Sequence, residues 1–247
     1  MTHRAFFITG TDTDVGKTTM TGALIRALQQ RGKSVGVLKP IETGVDVTQR
    51  EYSDTDRLRH LLTPPPSPDT VCIYTFPQPL APLAAAQKVG TTIDLIRIHS
   101  HMKELTRQYS ILLIEGAGGI HTPLTPRQSM RDLVSLLNIP CLIVGSTNLG
   151  GVNHCRLTME ALQQEDIPTC GIVLNDSDST NDSPTSRQQQ ESTIELIKNW
   201  ASVPTFGPID YVTMIETKWQ EGVTQLAEHP EIQRLATHLS EMSLKIE

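Results

Sequence analysis

The sequence predicts an α/β protein of three layers, a mostly parallel central sheet with helices on both faces. Three observations carry this. Short apolar runs alternate with longer amphipathic ones, the pattern of strand–helix units. The runs AFFIT, SVGVLK, SILLIE, CLIVGS and CGIVLN are apolar at nearly every position, so each reads as a strand buried on both faces. The segment ITGTDTDVGKTTM, Ile8–Met20, sets Gly-Lys-Thr between the first apolar run and the first helix.

The elements follow in order. AFFIT, residues 5–9, opens the sheet. A helix is predicted over Lys17–Arg31, with apolar positions at Met20, Leu24, Ala27 and Leu28 and a stop at Gly32. SVGVLK, residues 34–39, is the second strand. Read blandly, Asp54 is the alternative N-cap of a short helix over Leu58–Leu62. Helix Asp94–Gln108 leads to strand SILLIE, residues 110–115, and helix Gln128–Leu137 leads to CLIVGS, residues 141–146. Helix Val152–Glu165, strand CGIVLN (170–175), and helices Arg187–Trp200 and Pro230–Glu241 complete the pattern. TPPPSPDT, Thr63–Thr70, is read as non-helical because its prolines fix φ and lack donors. NDSDSTNDSPTS, Asn175–Ser186, is read as a polar loop with a mobile tip. Neither has the character of a linker, so residues 1–247 are read as one domain.

Composition narrows the function. The chain has 247 residues, 21 Lys and Arg against 27 Asp and Glu, and a net charge of −6. A mildly acidic chain without a basic run argues against nucleic acid as the main partner. Cys72, Cys141, Cys155 and Cys170 form no CxxC pair, and Cys141 and Cys170 lie in apolar runs as small core residues. MTHRAFFITG is too short an apolar stretch for a signal peptide, and no run approaches the roughly 18 apolar residues of a membrane span. A reducing cytoplasm is expected.

The loop TDTDVGKTT is a strand-to-helix turn at a helix N-terminus, where free backbone N–H groups and the helix dipole favour phosphate. It departs from the usual glycine, four residues, Gly-Lys-Ser/Thr: five residues separate Gly10 from Gly16, and Thr11 stands where the first glycine belongs. Lys17 would neutralise terminal phosphate charge, and Thr18 would offer its hydroxyl to Mg²⁺. The fold expectation thereby becomes the phosphate-loop NTPase type. Asp12 and Asp14 repel phosphate, so they face outward, cap the helix, or accept hydrogen bonds from a second ligand carrying amines. Lys39 follows the second strand at the carboxyl edge of the sheet, where open parallel sheets bind ligands, although most lysines are surface residues. Glu115 ends an apolar run, the usual Mg²⁺-side position in phosphate-loop enzymes. Gly116, Ala117, Gly118 and Gly119 after it permit close backbone approach. Asn175 and Asp176 end the last buried strand; the Asn amide suits an adenine edge, or the pair simply forms a turn.

The chain resembles the dethiobiotin synthetases. GTDTDVGKTT is similar to their variant loop G-T-x-T-x-V-G-K-T. KPIETG (Lys39–Gly44), SDTDRL (Ser53–Leu58), YTFPQPLAP (Tyr74–Pro82), IEGAGGIHTPL (Ile114–Leu124), LGGVNHCRLT (Leu149–Thr158) and LND (Leu174–Asp176) resemble the family's further motifs in order. The likeness covers roughly the first three-quarters of the chain. It implies ATP-dependent carboxylation and ring closure of 7,8-diaminononanoate with CO₂ or bicarbonate, through a carbamate and its phosphoric anhydride. It further implies Mg²⁺ as cofactor, ATP as co-substrate and a homodimer. It assigns ATP to Asp14, Val15, Gly16, Lys17, Thr18, Thr19, Asp54, Glu115, Gly116, Ala117, Gly118, Asn175, Asp176, Asp210, Tyr211 and Val212. The metal falls to Thr18, Asp54 and Glu115, with Asp56 the competitor of Asp54, and catalysis to Lys39 and Lys17. Substrate falls to Thr13, Lys39, Thr43, Gly118 and Asn153; read alone, Thr43 is a turn residue and Asn153 a helix cap.

Two positions depart from the family. PIDYV sets Asp210 where a proline of the adenine site is usual, and Arg187 stands where a tyrosine often lies near the substrate's carboxylate tail. His99 and His101, two residues apart on a helix, point to different faces and make a poor metal pair. The aspartates of NDSDSTND lack the glycine and glutamate of a calcium loop. The alternative is a nucleotide switch of the partition or septum-site type, but those carry an early lysine, K-G-G-x-G-K-T, absent from this loop. The similar cobyrinate-amidating enzymes carry an added glutamine-hydrolysing domain, which is not expected here.

Overall fold

Residues 4–46, 48–176 and 183–242 are described in the computed structural model. Strand β1 (Arg4–Gly10) is followed by helix α1 (Lys17–Gln30), β2 (Val35–Leu38) and β3 (Ile41–Thr43). Next come α2 (Asp54–Arg59), α3 (Pro68–Val71), β4 (Tyr74–Phe76), α4 (Pro82–Lys88) and α5 (Leu95–Thr106). The chain continues through β5 (Ile111–Gly119), α6 (Met130–Leu137), β6 (Cys141–Ser146), α7 (Gly151–Gln163), β7 (Thr169–Asn175) and α8 (Pro184–Trp200). It closes with β8 (Thr205–Ile209), α9 (Met214–Thr217), α10 (Trp219–Ala227) and α11 (Pro230–Glu241).

Six strands form one parallel sheet in the order β2-β5-β1-β6-β7-β8, and β3 pairs with β4 in a separate parallel ribbon. The expected mostly parallel sheet is therefore present. Phe6 and Phe7 explain its two-sided burial. Successive side chains alternate across a strand, so Phe6 joins Met20, Leu24, Val223 and Leu235 on one face. Phe7 joins Ile98, Leu133, Leu162 and Ile197 on the other. Each such buried side chain contributes roughly 1.5–3 kcal/mol.

The register aligns the functional strand ends. Leu38 pairs with Ile114 and Ile8 with Glu115, so the chain leaves β2, β1 and β5 side by side. Asn175 ends β7 level with Ser146 of β6.

Several expectations are corrected. TPPPSPDT is not wholly non-helical, because Pro68 starts the single turn of α3, where its missing N–H has no intrahelical role. Ser53, not an aspartate, caps the helix at 54–59 by accepting from the Asp56 amide. Helix α7 begins one residue early, after Gly150, so Asn153 lies in its first turn and is no cap. The expected polar loop narrows: Asn175 is in β7, α8 begins at Pro184, and the tip at 177–182 lies outside the described residues. All four cysteines are free and buried. No helix among the described residues is long and apolar enough to cross a membrane.

Candidate active site

The phosphate loop lies between β1 and α1. Thr11, just past the end of β1, is still tied to the sheet, its amide donating to the Val144 carbonyl of β6 at 2.9 Å. That explains the extra residue: the turn proper starts after Thr11. Asp14 takes a positive φ of 55°, a conformation Asp tolerates better than most residues. Gly16 has φ 93°, and a Cβ there would come 2.3 Å from the Asn175 Nδ2. Only glycine fits. No side chain caps α1, and its first bond runs from Met20 N to Gly16 O. The amides of Lys17, Thr18 and Thr19 therefore have no intrahelical acceptor and stand ready for an anion. Neither Asp12 nor Asp14 acts as the helix cap. Asp12 turns back to accept from the Thr13 amide at 2.7 Å.

Asn175 fixes the loop from behind. It is buried, and its Nδ2 donates to the Val15 carbonyl at 3.0 Å. Its neighbour Asp176 donates its amide to Ile209 O at 2.9 Å and accepts from Gln190 at 2.8 Å. Lys17 Nζ folds over the loop to the Asp12 carbonyl at 2.8 Å. Burial holds its ammonium below the usual lysine range, against the pull of Glu115.

At the centre, Lys39 Nζ lies 2.6 Å from Glu115 and 2.9 Å from Asp54. Burial alone would lower the Lys39 pKa, but Asp54, Glu115 and Glu42 outweigh it and raise it. Burial would likewise raise the Asp54 carboxyl, yet Lys39 holds it below the usual carboxylate range. Thr18 Oγ1 donates to the same Glu115 oxygen at 2.7 Å. The other oxygen, Oε2, is buried without a partner. Thr18, Asp54 and Glu115 thus form an all-oxygen set with an unused acceptor, which fits Mg²⁺. No group of three or more His, Cys, Asp or Glu among the described residues could hold a metal. A cation here must share its coordination with substrate phosphate, as Mg²⁺ usually does.

Glu42 is a residue that sequence reasoning missed. Buried at the centre of β3, it accepts from the Asp54 amide at 2.6 Å, the Thr55 amide at 3.1 Å and the Thr55 hydroxyl. Burial and then Asp54 raise its pKa. It anchors the start of α2 and so aims Asp54 at Lys39. The one available signal was a lone acid inside KPIETG, beside an apolar residue. Asp56, the competitor of Asp54, instead pairs with Arg59.

These groups open onto a cleft of about 720 Å³. Of the expected residues, Thr13, Asp14, Gly16, Lys17, Thr18, Thr19, Lys39, Thr43, Asp54, Gly116, Ala117 and Gly118 line it. Glu115 lies fully buried behind them. Ile41, Glu42, Arg57, Thr122 and the wall Pro79–Pro82 line it without having been expected. Val15 is buried, with its carbonyl tied to Asn175. Asn153 is exposed on α7 and does not line the cleft. Asp210, Tyr211 and Val212 also lie outside it. Asp210 is 3.6 Å from His229, the Tyr211 hydroxyl meets Glu216, and Val212 packs on the core. His101 bonds the Thr70 carbonyl at 2.8 Å. Arg187 sits in the first turn of α8.

A glycine-turned loop at a helix N-terminus, a buried lysine, and a buried acid within a neighbouring parallel strand define a phosphate-loop nucleoside triphosphatase. A family model described as an AAA domain matches residues 4–218. The chain is 41% identical over 172 residues to the ATP-dependent dethiobiotin synthetase of Anaeromyxobacter dehalogenans strain 2CP-C, covering 70% of this chain and 76% of that one. It is 31% identical over 230 residues to the enzyme so named from Bacillus cereus, covering 93% and 92%. The chain belongs to the ATP-dependent dethiobiotin synthetase family and is an ATP-dependent ligase. Among solved structures it is similar to the MinC:MinD complex of Aquifex aeolicus, with TM-score 0.58 and 14% identity over 99% of this chain and 98% of that one. A ParA family ATPase from Chlorobium tepidum gives TM-score 0.54 and 14% identity over 97% and 100%. Those two likenesses concern the fold alone.

Proposed function

We propose that the whole chain, as one domain, converts 7,8-diaminononanoate, CO₂ and ATP to dethiobiotin, ADP and phosphate. The observation that carries the reading is the meeting of Lys17, Thr18, Lys39 and Asp54 in one cleft, with Glu115 buried behind them, beside Thr43 and an apolar wall. One face suits phosphates; the wall of Ile41, Pro79 and Leu80 suits an alkyl chain.

One amine of the diamine attacks CO₂, forming an N–C bond and releasing a proton to give a carbamate. A carbamate oxygen then takes the γ-phosphoryl group as the bond to ADP breaks. The second amine attacks the carbonyl carbon, loses its proton, and expels phosphate as the ring closes. The chain's main work is positioning and charge. The loop amides and Lys17 hold the phosphates. Thr18, Asp54 and Glu115 would hold Mg²⁺, which would supply charge neutralisation to the phosphoryl group. Lys39 stabilises the carbamate and the charge developing in transfer. Thr13 and Thr43 orient the amines, with Asp14 beside them as an acceptor. Asn153 and Arg187 receive the substrate's carboxylate tail, Asn153 across the contact of a homodimer. Asn175, Asp176 and the 210–212 segment flank the adenine.

ADP release measured with ATP and Mg²⁺, with diamine and bicarbonate added singly and together, tests the reading. Release that needs both supports it. Release indifferent to both contradicts it and leaves a phosphate-loop ATPase of the switch type.

A further inference from the structure

We propose that Arg57 is an additional nucleotide-contacting residue, held over the cleft by Trp219 to meet the phosphate chain. The proposal rests on the reading of this cleft as an ATP site.

Arg57 lies three residues after Asp54 on α2. At 3.6 residues per turn, that spacing puts both on one helix face. Both line the cleft with Lys17, Thr18 and Thr19. The start of α2 is fixed by the three hydrogen bonds to Glu42, so the placement of Arg57 is built in rather than loose.

Its guanidinium lies 5.9 Å from the centre of the Trp219 ring, within the range of a cation–π contact. Trp219 is itself fixed by close packing. A Cβ on Gly22 of α1 would come 2.9 Å from the indole Cη2, so the bare glycine is what admits the ring. The platform thus spans α10 and the helix that carries the phosphate loop.

The charges show why an anion belongs there. Lys39 is already paired with Asp54 and Glu115, and Lys17 is turned onto a backbone carbonyl. Arg57 lies within coulombic reach of Asp54 but makes no direct side-chain hydrogen bond or contact ion pair with a described residue. Its planar fork, half-buried and backed by an aromatic face, keeps five donors for a ligand. Phosphate is the anion that fits, because the neighbouring loop amides converge on the same side.

The test compares wild type with R57M and R57K. Titration with ATP, and separate KM values for ATP and diamine, give the readout. R57M is expected to weaken ATP binding about tenfold or more, with the diamine KM and the melting temperature unchanged. R57K is expected to recover part of the loss, and W219L to weaken ATP binding by a smaller factor through the loosened platform. ATP affinity in R57M equal to wild type overturns the proposal. So does a rise confined to the diamine KM, which would put Arg57 at the tail. Wild type serves as the separate control: if it binds no ATP, the cleft reading falls, whereas a normal wild type with an indifferent R57M removes Arg57 alone. Should R57M melt early, R57Q replaces it, and the same comparison decides.

Discussion

Lys39, just past the end of β2, and Glu115, within the adjacent parallel strand β5, meet in a buried ion pair of 2.6 Å, with Asp54 joining Lys39 at 2.9 Å. The lysine is thus the cation between the two carboxylates assigned to Mg²⁺. Removing it leaves them without their contact ion pair, with only Lys17 and, for Asp54, Arg57 acting on them at longer range. K39M is expected to lose about 3–5 kcal/mol of stability in chelator, with part regained on adding Mg²⁺. ATP should still bind while turnover is lost. Thermal melts in the two buffers check this; a melt in chelator equal to wild type would refute it.

Lys17 pulls the other way. Burial lowers its pKa, so the unfolded state holds its proton more tightly and the ammonium costs stability at neutral pH. K17M should abolish ATP binding while the ligand-free protein melts no lower than wild type. A marked drop in its melting temperature would contradict the account.

Asn175 ties β7 to the phosphate loop through Val15. N175A should cost about 1–3 kcal/mol, since it strands a buried acceptor, and should weaken ADP binding as the loop loosens. Denaturant unfolding and ADP titration read the two effects separately. An intact ADP affinity would confine Asn175 to a stabilising role.

Glu231 supplies a pH test away from the cleft. It accepts from the Gly207 amide at 2.8 Å and from Arg234. Burial tends to raise its pKa, but these bonds lower it. Its stabilising effect is therefore complete above the ordinary glutamate value of 4.5 and lost as pH falls through the lowered pKa. E231Q should be less stable than wild type at pH 7, by about 1 kcal/mol, and the gap should close in acid. A gap constant with pH would show the charge is irrelevant.

The five long buried strands were legible because unbroken apolar runs leave few other readings. The phosphate loop was legible because Gly16, Lys17 and Thr18 stand between a strand and a helix. The β3–β4 ribbon was not, since three-residue strands such as Ile41–Thr43 and Tyr74–Phe76 are too short to show periodicity. Edge strand β8 contains Gly207 and Pro208, which break an apolar run although an edge tolerates proline. The sequence favoured Asp54 over Asp56 by position alone, and the structure adds that Asp54 meets Lys39 while Asp56 pairs with Arg59. Glu42 and Arg57 escaped notice because their roles come from contacts far along the chain.

The most direct measurement follows oxygen. ATP, Mg²⁺ and diamine are mixed with ¹⁸O-bicarbonate, and the products are analysed before the label exchanges with water. Transfer of phosphoryl to a carbamate oxygen predicts ¹⁸O in both the released phosphate and the ring carbonyl of the cyclic urea. Phosphate carrying only unlabelled oxygen, beside a labelled urea, would contradict phosphorylation of the carbamate and the roles given to Lys17 and Lys39.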